Sequence, residues 1–309
     1  MSQRLDYLDV AKGIGILLVI LGHCQLGRNV HAVIYSFHMP LFFFVSGLCF
    51  SNKYTFSSLA VKRFKQMILP TIYFSVISTL MVDGLGLHVE WWDWNNHFPF
   101  SLWFLPVLYF TELLAWVICN KILNKYCLVL SLLILILIPH LLARFSIELP
   151  YSIAAIPIAT FFYVMGYKLK KYVFEINMHL WSLSVLMSLF TVLAVRYGHV
   201  SIELASGHIS PVVVAELTAF CGLFSCLGFS KSLTIGGGKR LSQILIWFGQ
   251  NSLCLMLVHQ LIMALLDNYV EPYINNGHIY MIIQFLCTIL ISLLVANLIK
   301  KRIPMLIGK

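Results

Sequence analysis

Charge is what this chain has least of. Asp, Glu, Lys and Arg make up 11% of its 309 residues, less than half of the roughly 25% found in soluble domains. With 60% hydrophobic residues and a mean hydropathy of +0.88, that scarcity excludes an ordinary soluble globule. No connection between apolar runs is long enough to hold a soluble domain, so residues 1–309 read as one membrane domain. The eight cysteines form no CxxC pair and lie mostly within apolar runs. They read as small packing residues rather than disulfides or metal ligands. The eleven histidines contain no HExxH or similar spacing, which disfavours a metal site. Nor is there an internal or inverted repeat of the kind secondary transporters often show. The first apolar run has no small-x-small cleavage site and is interrupted by Lys12 and His23, unlike a cleavable signal peptide.

What the chain does have is a series of apolar runs of about twenty residues, the length needed to cross the hydrocarbon core. They lie near 8–27, 31–50, 67–83, 101–120, 127–143, 150–167, 178–196, 211–229, 243–266 and 279–299. The pattern predicts an all-α, polytopic bundle of about ten spans. With the N-terminus in the cytoplasm, only Arg28, Arg144 and Arg196 of the 21 Lys and Arg residues face outward. That is a positive-inside distribution, and it puts both termini in the cytoplasm. The net charge of +9 is then topogenic, with anionic lipid headgroups as its partner rather than nucleic acid. The longest loop, near 84–100, carries Trp91, Trp92 and Trp94, as an aromatic belt at the outer interface would.

Two stretches stand out. The first runs from Lys12 to His23 in the first span. Eleven helical residues turn through about 20° more than three full turns, so both side chains share one face, about 16 Å apart along the axis. Ionisable groups inside a bilayer are costly and suggest a function. The alternatives are a lysine that snorkels to headgroups and a buried histidine bonded to a neighbouring helix. Asp9, three residues before Lys12, is expected to pair with it. The second stretch is Ser36–Gly47. Here Pro40 frees a carbonyl and Ser46-Gly47 permits close helix approach, which suits a pocket wall or simple packing.

Other polar residues fall inside spans. His38 and His259 are expected in the outer leaflet with His23, Glu216 in the outer third of the eighth span, and Glu112 near mid-depth in the fourth. A carboxylate paired with His23 would fix its tautomer, and spacing does not choose between the two acids. Asn251 and Ser252 read as packing residues. The Gly236–Arg240 loop lacks phosphate-loop spacing and reads as a linker.

Asp9-x-x-Lys12, then His23, then Phe37-x-x-Pro40-x-Phe-Phe-x-x-Ser46-Gly47 resembles the integral-membrane acyltransferase-3 family. So do Lys62-Arg63 leading to Leu69-Pro70, the Trp103-Phe104-Leu105 start of the fourth span, and Gly249-x-Asn251-Ser252-Leu253 running to His259. The resemblance covers nearly the whole chain, in order. It implies an O-acyltransferase of a bacterial inner membrane, moving an acyl group, most often acetyl, from cytoplasmic acetyl-CoA to a sugar hydroxyl of a surface or lipid-linked glycan. It implies His23 as general base or transient acyl carrier, with Glu112 and Glu216 as candidate supporting acids. Lys12, Lys62, Arg63 and Lys65 become candidates for CoA phosphates, although the last three also serve as topology signals. His38, Trp103 and His259 become candidate acceptor contacts. No metal is implied. The chain departs from the family at Lys12, where Arg is usual; Lys keeps the charge and loses the planar fork. A transporter or glycan flippase is the alternative from another class, since carriers also place His and Glu within the membrane. A flippase would work without acyl-CoA.

Overall fold

A computed structural model describes residues 6–89, 98–175, 181–197, 200–205, 208–235 and 239–308. Trp91, Trp92 and Trp94 of the expected belt, and Gly236–Gly238 of the expected linker, lie outside the described residues. The helices are α1 (Asp6–Gly22), α2 (Arg28–Leu48), α3 (Phe56–Arg63), α4 (Leu69–Leu85), α5 (Phe104–Lys121), α6 (Lys125–Arg144), α7 (Ala155–Glu175), α8 (Trp181–Tyr197), α9 (Val214–Ile235), α10 (Lys239–Tyr269) and α11 (Gly277–Arg302). A π-helical turn over Phe64–Ile68 joins α3 to α4, giving one continuous helix of 30 residues. Side-chain caps mark the starts that the apolar pattern leaves vague. Thr55 accepts from the backbone of Ser58, Asn124 from Tyr126, and Asn276 from His278 and Ile279.

Each predicted span coincides with a helix, and among the described residues eight helices are long and apolar enough to cross a membrane. The other two, α1 and α8, have 17 residues each and rise about 26 Å, nearly a turn short of a core about 30 Å thick. The run predicted to 27 ends at Gly22, because the chain turns there to enter α2. The His23 amide still bonds back to Val19 and Ile20, the Cys24 amide reaches Leu21, and Gly27 is the N-cap of α2. His23 therefore closes the last turn of α1 rather than sitting within a longer helix. Two three-residue strands, β1 (Ser201–Glu203) and β2 (His208–Ser210), pair antiparallel between α8 and α9 and add a small β element that periodicity did not predict.

The last helix, α11, is apolar outside and more polar within. On α11 the buried stripe is Tyr280, Gln284, Thr288, Ser292 and Ala296, at four-residue spacing. Ile282, Leu286, Leu290, Leu294 and Leu298 point outward, as lipid contact requires. At the centre, α1 packs on α10 and α2 on α7, both through glycine. A Cβ on Gly47 would strike the Tyr163 carbonyl, and one on Gly166 the Phe44 carbonyl. Ser46-Gly47 thus does permit the close approach expected of it, and the Pro40-bearing α2 lies buried between neighbours.

Candidate active site

The α1–α10 contact sets the site. Gly13 of α1 lies on the Leu245 carbonyl, and Gly249 of α10 lies on the Asp9 carbonyl, too close for a Cβ at either. Without hydrophobic drive between spans, such backbone contact is how helices lock in a membrane. Locked in this register, the two run side by side until His23, at the end of α1, faces the penultimate turns of α10.

There the ring of His23 lies 5.4 Å, centroid to centroid, from that of His259. Gln260 places Nε2 3.1 Å from His23 Nδ1 and Oε1 2.5 Å from Ser101 Oγ. Ser101 Oγ also lies 3.3 Å from His259 Nε2. His259 itself is fully buried, with Nδ1 3.0 Å from the Leu255 carbonyl and 3.1 Å from that of Met256. Tyr35 stands edge-on to His23 at 6.3 Å and to His38 at 4.9 Å, and His31 stacks on Tyr35. His38 is bonded through Nδ1 to the Ile34 carbonyl at 2.8 Å. A cavity of about 170 Å³ opens here, lined by His23, Tyr35, His38, Ser101, Trp103 and Glu203 among others, with His259 and Gln260 behind His23 and Ser101. The hairpin between α8 and α9 thus forms one wall. His23, His38, Trp103 and His259 are gathered in one place. His23 Nε2 has no hydrogen-bond partner among the described residues.

A second cluster lies toward the lysine-rich end. Lys12 Nζ is 2.6 Å from Asp9, with 29% of the lysine side chain exposed, so the expected pairing forms. Lys170 Nζ reaches the Phe50 carbonyl at 3.3 Å. Cys49 is exposed, yet enclosure pushes its thiol up, against the downward pull of Lys12, Lys170 and Arg63. The charges of Lys12, Lys170 and Arg63 act on this thiol together with the opposing charge of Asp9.

The two candidate acids are elsewhere. Glu112, 2% exposed, holds Arg63: Nη2 donates to Oε1 at 2.7 Å and Nε lies 2.5 Å from Oε2. Tyr163 donates to the same Oε1 at 2.8 Å. Arg63 also donates to Gln66. Glu216 pairs with His140 at 2.7 Å across α6 and α9. Neither acid touches His23 among the described contacts. Lys62 donates to Tyr54, and Lys65 is exposed on the π turn. Asn251 bonds the Trp247 carbonyl and Lys300, and Ser252 the Gly249 carbonyl, as packing residues do. All eight cysteines are free. Gln260, Ser101, Tyr35, Lys170 and Glu203 were not singled out from the sequence. Gln260 adjoins His259, and that adjacency was the one available signal; the others meet their neighbours only through packing.

No curated protein and no solved structure matches this chain. A family described as an acyltransferase domain, acyltransferase-3, matches residues 5–299. That span contains both polar clusters and every helix except the last residues of α11. With 295 of 309 residues matched, the chain belongs to the acyltransferase-3 family.

Proposed function

We propose that this membrane acyltransferase moves an acyl group, acetyl first among the candidates, from cytoplasmic acyl-CoA to a hydroxyl of a lipid-linked or cell-surface glycan. The setting is a bacterial inner membrane. The observation that carries the reading is the separation of two polar clusters at the two ends of α1, Lys12 with neighbouring cations at one end and a partnered histidine in a cavity at the other. The fit to the donor is chemical. Phosphates need cations that water can reach, and the Lys12 side chain, 29% exposed, is such a group, with Lys170 and Arg63 adding to the field at the same end. Lys62 and Lys65 are on the same side and add to the positive field. A pantetheine arm is long enough to cover the roughly 16 Å of helix rise from Lys12 to His23.

In the proposed step the acceptor hydroxyl gives its proton to His23 as its oxygen attacks the thioester carbon. The C–S bond breaks, and the thiolate leaving group takes the proton back. Imidazole suits this exchange near neutral pH. Transfer of the acyl group through His23 itself is the covalent variant. Tyr35, His38, Trp103 and Glu203 face the acceptor; aromatic faces and a carboxylate are the groups a sugar ring and its hydroxyls engage. Glycan thus approaches from the far end and acyl groups cross the membrane while CoA does not.

The test uses purified protein in lipid nanodiscs with radiolabelled acetyl-CoA, wild type beside His23→Ala. The expected result is CoA release and label transfer to glycan by the wild type alone. Label retained on protein before acceptor is added selects the covalent variant. Absence of CoA binding and turnover with any donor would return the chain to the transporter reading. Protection of Lys12 by CoA and of His23 by acceptor on the same membrane face would overturn the two-sided scheme.

A further inference from the structure

We infer that Gln260, Ser101 and His259 form a positioning relay that fixes which nitrogen of His23 is the base. The inference rests on the proposed acyl-transfer reading and deepens it. It starts from the far end of the network, where there is least freedom. His259 Nδ1 faces two backbone carbonyls, at 3.0 and 3.1 Å. Carbonyls only accept, so Nδ1 carries the hydrogen. Fully buried, with no carboxylate in contact among the described residues, His259 is neutral, since an unpaired buried charge is costly. Its Nε2 is therefore an acceptor. The group facing it, Ser101 Oγ at 3.3 Å, must donate.

A hydroxyl has one hydrogen. Spent on His259, it leaves Ser101 Oγ to accept, so the end of the Gln260 amide 2.5 Å away must be the NH₂. Turning an amide over exchanges its oxygen and nitrogen without moving any other atom, and the network decides which is which. Gln260 then presents its oxygen to His23 Nδ1 at 3.1 Å, and Nδ1 carries the hydrogen. The lone pair of His23 is left on Nε2, which has no partner among the described residues.

The opposite amide orientation fails twice. Ser101 would give its hydrogen to Gln260, leaving His259 Nε2 a buried acceptor without a donor, so that its desolvation goes uncompensated. It would also set an NH₂ against His23 Nδ1. A proton taken up by His23 would then have to reside on Nδ1, donor facing donor. In the relay orientation the proton arrives on Nε2, and Gln260 oxygen already accepts from Nδ1 of the resulting imidazolium. The relay does with a neutral amide, serine and histidine what a carboxylate does in other acyl-transfer sites.

The experiment labels the protein with ¹⁵N-histidine and reads the His23 ring nitrogens in nanodiscs, above the imidazole titration range. His23→Gln identifies the signal by difference. The expected wild-type spectrum has a protonated Nδ1 and a bare Nε2. Gln260→Met should shift His23 toward the other tautomer and lower kcat about 10- to 100-fold at unchanged donor KM, less than the ~10²–10⁴ that a general base supplies in full. Gln260→Glu still accepts from His23 Nδ1 but cannot donate to Ser101, so it should restore the His23 tautomer and recover part of that loss while lowering the unfolding temperature. Should Gln260→Met not fold, Ser101→Ala frees the amide to turn and is expected to mix the tautomers. A wild-type His23 with hydrogen on Nε2, or a tautomer indifferent to Gln260 and Ser101, would overturn the relay. The spectrum needs no turnover, so loss of the acyltransferase reading and loss of the relay are separately visible.

Discussion

Gly249 on α10 rests against the backbone carbonyl of Asp9 on α1, with no room for a single methyl group between them. This contact fixes the sliding register of the two helices, and His23, at the far end of α1, inherits it. Gly249→Ala must push backbone rather than a flexible side chain, and overpacking of that kind costs about 1–3 kcal/mol. Thermal unfolding in nanodiscs should show the loss, with a fall in turnover larger than stability alone explains. Gly84→Ala, where a Cβ meets nothing within 4 Å, is the control. In α4 it should be neutral or stabilising by up to about 1 kcal/mol, since alanine favours helix over glycine.

Arg63 and Glu112 should behave as a unit. Arg63→Met leaves a carboxylate 2% exposed with no cation and only the Tyr163 hydroxyl donating to it, a loss of about 3 kcal/mol. Glu112→Gln keeps an acceptor for Tyr163 and should cost less. Combining Arg63→Met with Glu112→Leu removes both charges together and should recover part of the single loss. Equilibrium unfolding of the wild type and these variants, with Glu112→Leu alone to close the cycle, decides this, and strict additivity would dismiss the pair as a unit.

Glu216 offers a sharper division. If it supported His23, Glu216→Gln would mimic His23→Ala in the labelled-donor assay. Its bond to His140 at 2.7 Å predicts the other result, a lower unfolding temperature with turnover largely retained. Breaking a buried pair in this conservative way should cost about 1–3 kcal/mol.

Lys12 should act on the donor rather than on the chemistry. Lys12→Ala is expected to raise KM for acyl-CoA about tenfold, near 1.4 kcal/mol, with kcat little changed. Lys12→Arg should retain or improve the KM, because a guanidinium grips phosphate with two parallel bonds. Steady-state kinetics with varied acyl-CoA separates the two parameters; a fall in kcat at constant KM would remove Lys12 from the donor site.

What the sequence made legible follows the range of each interaction. The Asp9–Lys12 pair is one helical turn long and was readable from spacing, and the approach of His23, His38 and His259 to one another agrees with the common depth expected of them. Gln260 lies 237 residues from His23, Arg63 lies 49 from Glu112, and His140 lies 76 from Glu216. Those partners depend on how helices rotate about their own axes, which hydropathy leaves open. The end of α1 was misplaced for a related reason. Hydropathy continues through Cys24 and Leu26, while the chain leaves the helix at Gly22 to make the turn into α2. The hairpin at 201–210 escaped because three-residue strands carry too little alternation to register.

The π turn at Phe64–Ile68 has a consequence for what lengths of chain the molecule can accept. Such a turn holds one residue more than an α turn. It lets Arg63 keep its hold on Glu112 while Pro70 and Thr71, just beyond, keep their own buried seats. Deleting one residue there would straighten the helix and swing one half about 100° against the other, so the two sets of contacts could no longer coexist. The segment is therefore open to exchange of side chains but closed to deletion, a place where the chain counts residues more strictly than it reads them.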